Sequence, residues 1–250
     1  MSSTTTDAFL GGRVSISQPA AGYRAGADPV LLAAAVSARP GQSVLELGCG
    51  VGVAMLCLSA RVSGLRVTGI ERDETAVRLA HENLSRNGLE GEILHADIAA
   101  MPPDLRVRSF DHVMANPPFF DRNAGSRARL DTREAGRGLE TPLAVWVDTA
   151  IRRLVPGGTF TLINRVERLP DCLAALDARV GGVVVKPLAP RAGRLAKLFI
   201  LQSKKGALGP FRLAAPLILH AGDRHEADGD SYTPEAAAIL RDGAAFGPLD

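Results

Sequence analysis

Apolar residues run along this chain in short bursts, each closed by glycine, asparagine or an acid. A longer stretch follows each burst, with apolar positions recurring every third or fourth residue. Residues 43–47 (SVLEL) are the first burst; they end in glycines, and helical spacing takes over across 53–62. Residues 66–71 (RVTGIE) repeat it, with Asp73 placed to cap a helix to about Arg86 and Asn87-Gly88 to stop it. Further strands are predicted at 92–95, 110–115 and 159–164, with helices over 142–154 and 171–179. This alternation predicts a mostly parallel sheet covered by helices on both faces.

Near the end the pattern changes. Residues 183–187 and 197–202 read as strands, and LAPRAGRLA between them leaves no room for a helix, so the two pair antiparallel. An apolar run at 213–219 reads as one more strand, and Thr233 caps a short helix opening at Pro234.

At 250 residues and 46% hydrophobic, the chain fits one elaborated domain. The expected layout is an N-terminal cap segment, residues 1–40, packed on a catalytic part, residues 41–250. Three cysteines without CxxC spacing (Cys49, Cys57, Cys172) fit neither a disulfide framework nor a metal site and point to a reducing cytoplasm. The apolar run at 29–38 lies late and is too short to span a bilayer, so no membrane association is expected. A formal charge of +2 does not advertise nucleic-acid binding in bulk.

The first strand-to-helix turn carries the first candidate chemistry, Glu46-Leu47-Gly48-Cys49-Gly50-Val51-Gly52. Ligands of open α/β sheets bind at such turns. A dinucleotide fingerprint needs a third glycine at position 53, where this chain has Val53. Glu46 would repel a pyrophosphate and attract an ammonium or sulfonium, which suits S-adenosylmethionine. Glu71 ends the second strand, where an acid accepts from ribose hydroxyls; Asp97 ends the third and suits an adenine amine, with Ile98 against the ring. Cys49 has no histidine near it in sequence and reads as a small residue between glycines rather than a nucleophile.

The fourth strand ends in Asn116-Pro117-Pro118-Phe119-Phe120. Prolines cannot continue a central strand, so the chain must leave the sheet here and present something. An amine on a base has its lone pair delocalised into the ring. The Asn116 side-chain carbonyl and the Pro118 backbone carbonyl can each accept one of its N–H bonds and aim that lone pair, while Phe119 stacks on the base.

VLELGCGVG, GIERD, HADI and ANPPFF resemble class I S-adenosylmethionine-dependent methyltransferases carrying N-P-P-[FYW], with a Rossmann-like, seven-stranded, mostly parallel sheet and an antiparallel C-terminal hairpin. DAFLGGRVSISQPAAGYRAGADPVLLAAA, REAGRG and RAGRLAKLFILQSKKG resemble, more narrowly, the bacterial tRNA1(Val) adenine-37 N6-methyltransferase family. The resemblance implies a cofactor site of Tyr23, Arg24, Gly26, Asp28, Glu46, Leu47, Gly48, Cys49, Gly50, Gly52, Glu71, Arg72, Asp97, Ile98 and Asn116. It implies a catalytic corner of Asn116, Pro117, Pro118 and Phe119. Many relatives have tyrosine where this chain has Phe119; stacking survives that change and a phenol hydrogen bond does not. Asp28 is expected to cap the helix that begins at Pro29.

Arg122, Arg127, Arg129 and Arg133 follow the corner directly and suit tRNA phosphates, and Arg191, Arg194, Lys204 and Lys205 could extend that track. Other acceptors of the same corner are ribosomal RNA, DNA or a protein glutamine amide. A non-catalytic RNA-binding protein of this fold and an NAD-dependent oxidoreductase are the readings from other classes. The assembly expected is a monomer or weak homodimer.

Overall fold

The computed structural model describes residues 3–22, 24–118, 141–223 and 231–247. The chain opens with an antiparallel hairpin, β1 (Thr4–Phe9) and β2 (Val14–Pro19), joined through Leu10–Gly12, where Gly11 (φ 64°) and Gly12 (φ 94°) take the left-handed turn. Helix α1 (Asp28–Ala35) follows, with every residue after Asp28 buried. The parallel strands come next: β3 (Ser43–Leu47), helix α2 (Val53–Arg61), β4 (Arg66–Glu71), α3 (Glu74–Arg86), β5 (Glu92–His95), the short α4 (Pro103–Arg106) and β6 (Phe110–Ala115). After α5 (Leu143–Arg153), β7 (Leu154–Arg165) and α6 (Leu169–Ala175) come the long antiparallel pair β8 (Val180–Ala189) and β9 (Leu198–Lys205), the two-residue β10 (Arg212–Leu213) and β11 (Leu217–Ile218), and α7 (Pro234–Leu240).

The main sheet runs β10-β8-β9-β7-β6-β3-β4-β5, with β11 also on β8. β3 to β7 are mutually parallel and β9 is antiparallel to both β7 and β8, so seven long strands and the closing hairpin match the expected plan. Alternation along each strand feeds two cores. Val44, Met114, Ile163 and Ile200 face the layer holding α1 and α2, while Leu45, Val113, Leu162 and Leu201 face the layer holding α5.

Several expected boundaries change. The strand expected at 213–219 is broken into β10 and β11 around Pro216, which has no N–H to give a ladder. The helix expected over 171–179 is α6, earlier and shorter, and β7 starts at Leu154, before the Pro156-Gly157-Gly158 turn. Asp28 does not cap α1: Ala27 holds the cap position, and Asp28 lies in the first turn with no side-chain cap bond. Asp73 and Thr233 do cap α3 and α7, accepting from the amides of Ala76 (2.9 Å) and Ala236 (3.2 Å).

The N-terminal hairpin gives little sign of itself in the apolar pattern. Asn83 on α3 and Asn87, the residue that caps its C-terminus one turn on, hold it. Asn83 accepts from Ser17 N (2.8 Å) and donates to Ser17 O (3.1 Å) and Val51 O (3.0 Å); Asn87 repeats the exchange at Ser15, 2.8 Å each way. Asn83, fully buried, thereby joins hairpin, α3 and glycine turn.

Candidate functional site

Sheet order fixes where a ligand can sit. From β3 the chain moves outward to β4 and β5, then returns to β6 on the other side of β3, so the crevice opens beyond Leu47 and Ala115, which pair in register. Gly48 and Asn116 are the next residues out on these two strands.

The glycine turn is built from both sides. Gly48 (φ 63°) has Trp146 of α5 beneath it: a Cβ there would stand 2.5 Å from the indole Cη2. Gly50 (φ 54°) meets nothing within 4 Å, so its open side faces the crevice. Gly52 (φ 89°) caps α2 without a side chain, and the missing cap bond comes from Glu46, which accepts from Met55 N at 3.0 Å. Cys49 lies over Gly69, where a Cβ would stand 2.7 Å from its sulfur, and its thiol is pushed well up by burial and by Glu46 and Glu71. Such a thiol is no nucleophile at neutral pH.

Glu46 is placed under the turn, on the α2 side, only 4% exposed. Burial pushes its carboxyl up to about 8, against the Met55 amide bond and with help from the Glu71 charge. A folded value above the unfolded one means that the native state holds a proton the unfolded chain has lost. Stability is therefore full below about 4.5 and falls as pH rises toward 8. Urea midpoints are expected to drop between pH 5.5 and 8 in the wild type, and Glu46→Gln is expected to flatten that slope.

Glu71 is wrapped by backbone amides. Oε2 accepts from Gly50 N (2.9 Å) and Oε1 from Arg72 N and Asp73 N (2.8 Å each), which fills three of about four acceptor positions. In this arrangement one position on Oε2 is left for a hydroxyl. Asp97 is half-buried and accepts from Ala99 N at 2.8 Å, capping the turn Ile98–Ala100; Ile98 is buried with Trp146 in the α5-side core. Arg72 is exposed beside these acids, and its carbonyl contacts His95 Nε2 at 3.0 Å.

At the end of β6, Asn116 is half-buried, Pro117 buried and Pro118 exposed. The Asn116 side-chain oxygen is buried without a hydrogen-bond partner among the described residues. A buried acceptor left unpaired costs about 1–3 kcal/mol, and one at the crevice can be satisfied by a donor brought by a ligand. Trp146 Nε1, a second buried atom without a partner among the described residues, lies in the same region.

The N-terminal segment reaches the same edge. Arg24 pairs with Asp7 at 2.6 Å, and Gln18, 2% exposed, bonds Asp7 at 2.9 Å and both backbone groups of Ala25, tying the segment to the hairpin. Gly26 is exposed with open space around it. Burial raises the Asp28 carboxyl while Arg165, at the end of β7, pulls it down, which places that cation near Asp28. Tyr23, Phe119, Phe120, Arg122, Arg127, Arg129 and Arg133 lie outside the described residues.

The crevice thus brings Glu46, Gly48, Gly50, Glu71 and Asn116 together, with Asp97 at the neighbouring strand end. Lys204 and Lys205 are not part of it: Lys204 pairs with Thr159 and Lys205 donates to Leu154 O (2.7 Å), at the opposite edge of the sheet. Trp146 and Arg165 were not singled out for the site from sequence, although Trp146 is the only tryptophan. Among the described residues no helix is long and apolar enough to cross a membrane, and no cluster of His, Cys, Asp or Glu could hold a metal ion.

Residues 26–181 match the model of the methyltransferase small domain. A tRNA1(Val) (adenine(37)-N6)-methyltransferase from Porphyromonas gingivalis is 33% identical over 178 residues, covering 66% of this chain and 68% of the relative. One of the same name from Haemophilus influenzae is 26% identical over 151 residues, 59% of this chain and 64% of the relative, so that match spans less than two thirds of its length. Among solved structures, a predicted O-methyltransferase from Agrobacterium tumefaciens superposes with TM-score 0.71 at 26% identity, over 88% of this chain and 98% of that one. A Thermus thermophilus 16S rRNA N2 G1207 methyltransferase, in complex with AdoMet and guanosine, superposes with TM-score 0.55 at 24% identity, over 81% of this chain and 50% of that one.

Proposed function

The chain belongs to the methyltransferase small domain family, and from that premise we propose that it methylates the N6 amine of an adenine in tRNA, adenine-37 of a valine tRNA, with S-adenosylmethionine as donor. The buried oxygen of Asn116 at the mouth of the crevice, without a partner among the described residues, carries this reading.

The residues present fit the donor. Open space over Gly50 admits its body, the free position on Glu71 Oε2 suits a ribose hydroxyl, and Asp97, at the neighbouring strand end, is assigned to the adenine amine. Glu46 has one carboxyl oxygen on Met55 N; burial holds its proton in the empty site, and the positive charge of the donor's amino-acid end beside it would favour the carboxylate. The donor supplies an electrophilic methyl on a sulfonium.

The chain's own work is on the acceptor. Asn116 Oδ1 takes one N–H of the base amine and the Pro118 carbonyl takes the other, which draws the nitrogen from planarity and turns its lone pair toward the methyl. Two prolines restrict the backbone of the corner, and Ala115 before it is held between β3 and β7, which limits how far the two oxygens can move before the base arrives. No charged base is needed beforehand, since the proton leaves to water once nitrogen is alkylated. Phe119 is the ring assigned to stack on the flipped base.

Acceptor class is tested by incubating the enzyme and labelled donor with tRNA, ribosomal RNA, DNA and protein fractions separately. Label is expected in tRNA; label confined to any other fraction would replace the substrate while leaving the chemistry in place.

A further inference from the structure

We propose that the tip of the β8–β9 hairpin is a contact surface for RNA phosphates, with Arg194 and Lys197 as its cations. This deepens the RNA reading above and rests on it. Between Ala178 and Gly222 the chain has no Asp or Glu and eight Lys or Arg; the whole chain has 29 basic and 27 acidic residues. The remainder is therefore acidic on balance, with 21 basic residues against 27 acidic, and the modest total charge conceals one strongly basic arm.

The fold sorts the eight cations. Arg179 is held by Asp177 and Asp148, and Lys205 donates to Leu154 O. Lys204 lies with them at the edge away from the crevice, and Arg212 and Lys186 sit within β10 and β8. Arg191 donates to the carbonyls of Ala221 and Gly222 and holds the C-terminal segment in place. Arg194 and Lys197 are exposed, and neither side chain has a hydrogen bond or ion pair among the described residues. Leu195 between them is 90% exposed, so packing on the protein does not account for the tip.

The tip is on the correct edge. Leu198, next to Lys197, pairs with Arg165 of β7 and Leu188 of β8, at the carboxyl ends of the parallel strands where Asn116 also lies. β9 stands two strands from β6, which is about 10 Å at ordinary strand spacing. Arg165 is exposed on the strand between. A base held at Asn116 would bring its flanking backbone across this edge, and two exposed cations without a partner among the described residues suit a polyanion.

The test compares Arg194→Ala/Lys197→Ala with a charge-matched control away from the tip, Lys204→Ala/Arg212→Ala, using unfractionated tRNA and labelled S-adenosylmethionine. The tip variant is expected to bind tRNA roughly tenfold more weakly, with the slope of log affinity against log salt shallower by about 1.5. Its KM for tRNA should rise while kcat at saturating tRNA and donor affinity hold, and the control should change neither slope nor KM. An unchanged slope and KM in the tip variant, or an equal loss in the control, would overturn the tip as a contact surface. A wild-type enzyme that transfers no methyl to any RNA would overturn the underlying reading instead.

Discussion

Asn116→Ala is expected to lower methyl transfer by about 10²–10³-fold, leaving donor affinity within about twofold and thermal stability unchanged or slightly raised. The three readouts belong together. A structural asparagine with its carbonyl satisfied would lose a hydrogen bond on truncation and destabilise the fold. Here the side-chain oxygen is buried with no partner among the described residues, so its removal relieves a desolvated acceptor instead of breaking a bond. Activity falls because the amine loses the acceptor that shapes it in the transition state, a loss expected in kcat more than in KM. Asn116→Asp keeps an acceptor at the same reach and is expected to retain more activity than alanine. Activity equal to wild type in the alanine variant would remove Asn116 from the chemistry.

Gly48→Ala is expected to destabilise the enzyme by about 2–4 kcal/mol, combining an overpacked contact with a left-handed backbone position. At this chain length that is a fall in Tm of roughly 5–10 °C. The new methyl would stand 2.5 Å from Trp146 Cη2 and 2.9 Å from Cζ3. Gly50→Ala is the internal control: its φ of 54° is similar, but a Cβ there meets nothing, so only the backbone part remains, about 1–2 kcal/mol. The two glycines thus separate by function, one dictated by the ring beneath it and one facing the crevice. Trp146→Phe in the Gly48→Ala background is expected to recover part of the loss, read by urea midpoints. Equal destabilisation by the two glycine variants would contradict the Trp146 contact.

The strand–helix alternation was legible because each burst of apolar residues ends in a residue that turns the chain, and the strand order follows once the glycine turn and the proline corner lie on one edge. What escaped depends on contacts distant in sequence. β1 (TTTDAF) has an alternating exposed and half-buried pattern with few apolar residues, and its hairpin is held by side chains of Asn83 and Asn87, on a helix and at its C-terminal cap, some seventy positions away. Trp146 lies nearly a hundred residues after the glycine it underlies, so nothing local to GCGVG announces it. The burial of Glu46 could have been read: it shares strand parity with Val44, whose face packs against α2, while Leu45 and Leu47 face the other core. Its neighbourhood to the glycines suggested an acid lining the open site, whereas parity puts it beneath, where it also satisfies the first turn of α2.

The most direct test of the central claim is nucleoside mass spectrometry of tRNA incubated with the enzyme and methyl-labelled S-adenosylmethionine, followed by mapping of the labelled position. The expected result is N6-methyladenosine at position 37 of a valine tRNA, abolished by Asn116→Ala. Label on a ring carbon, a ribose oxygen or the N2 amine of guanine would contradict the assignment of Asn116 and Pro118 to an adenine amine.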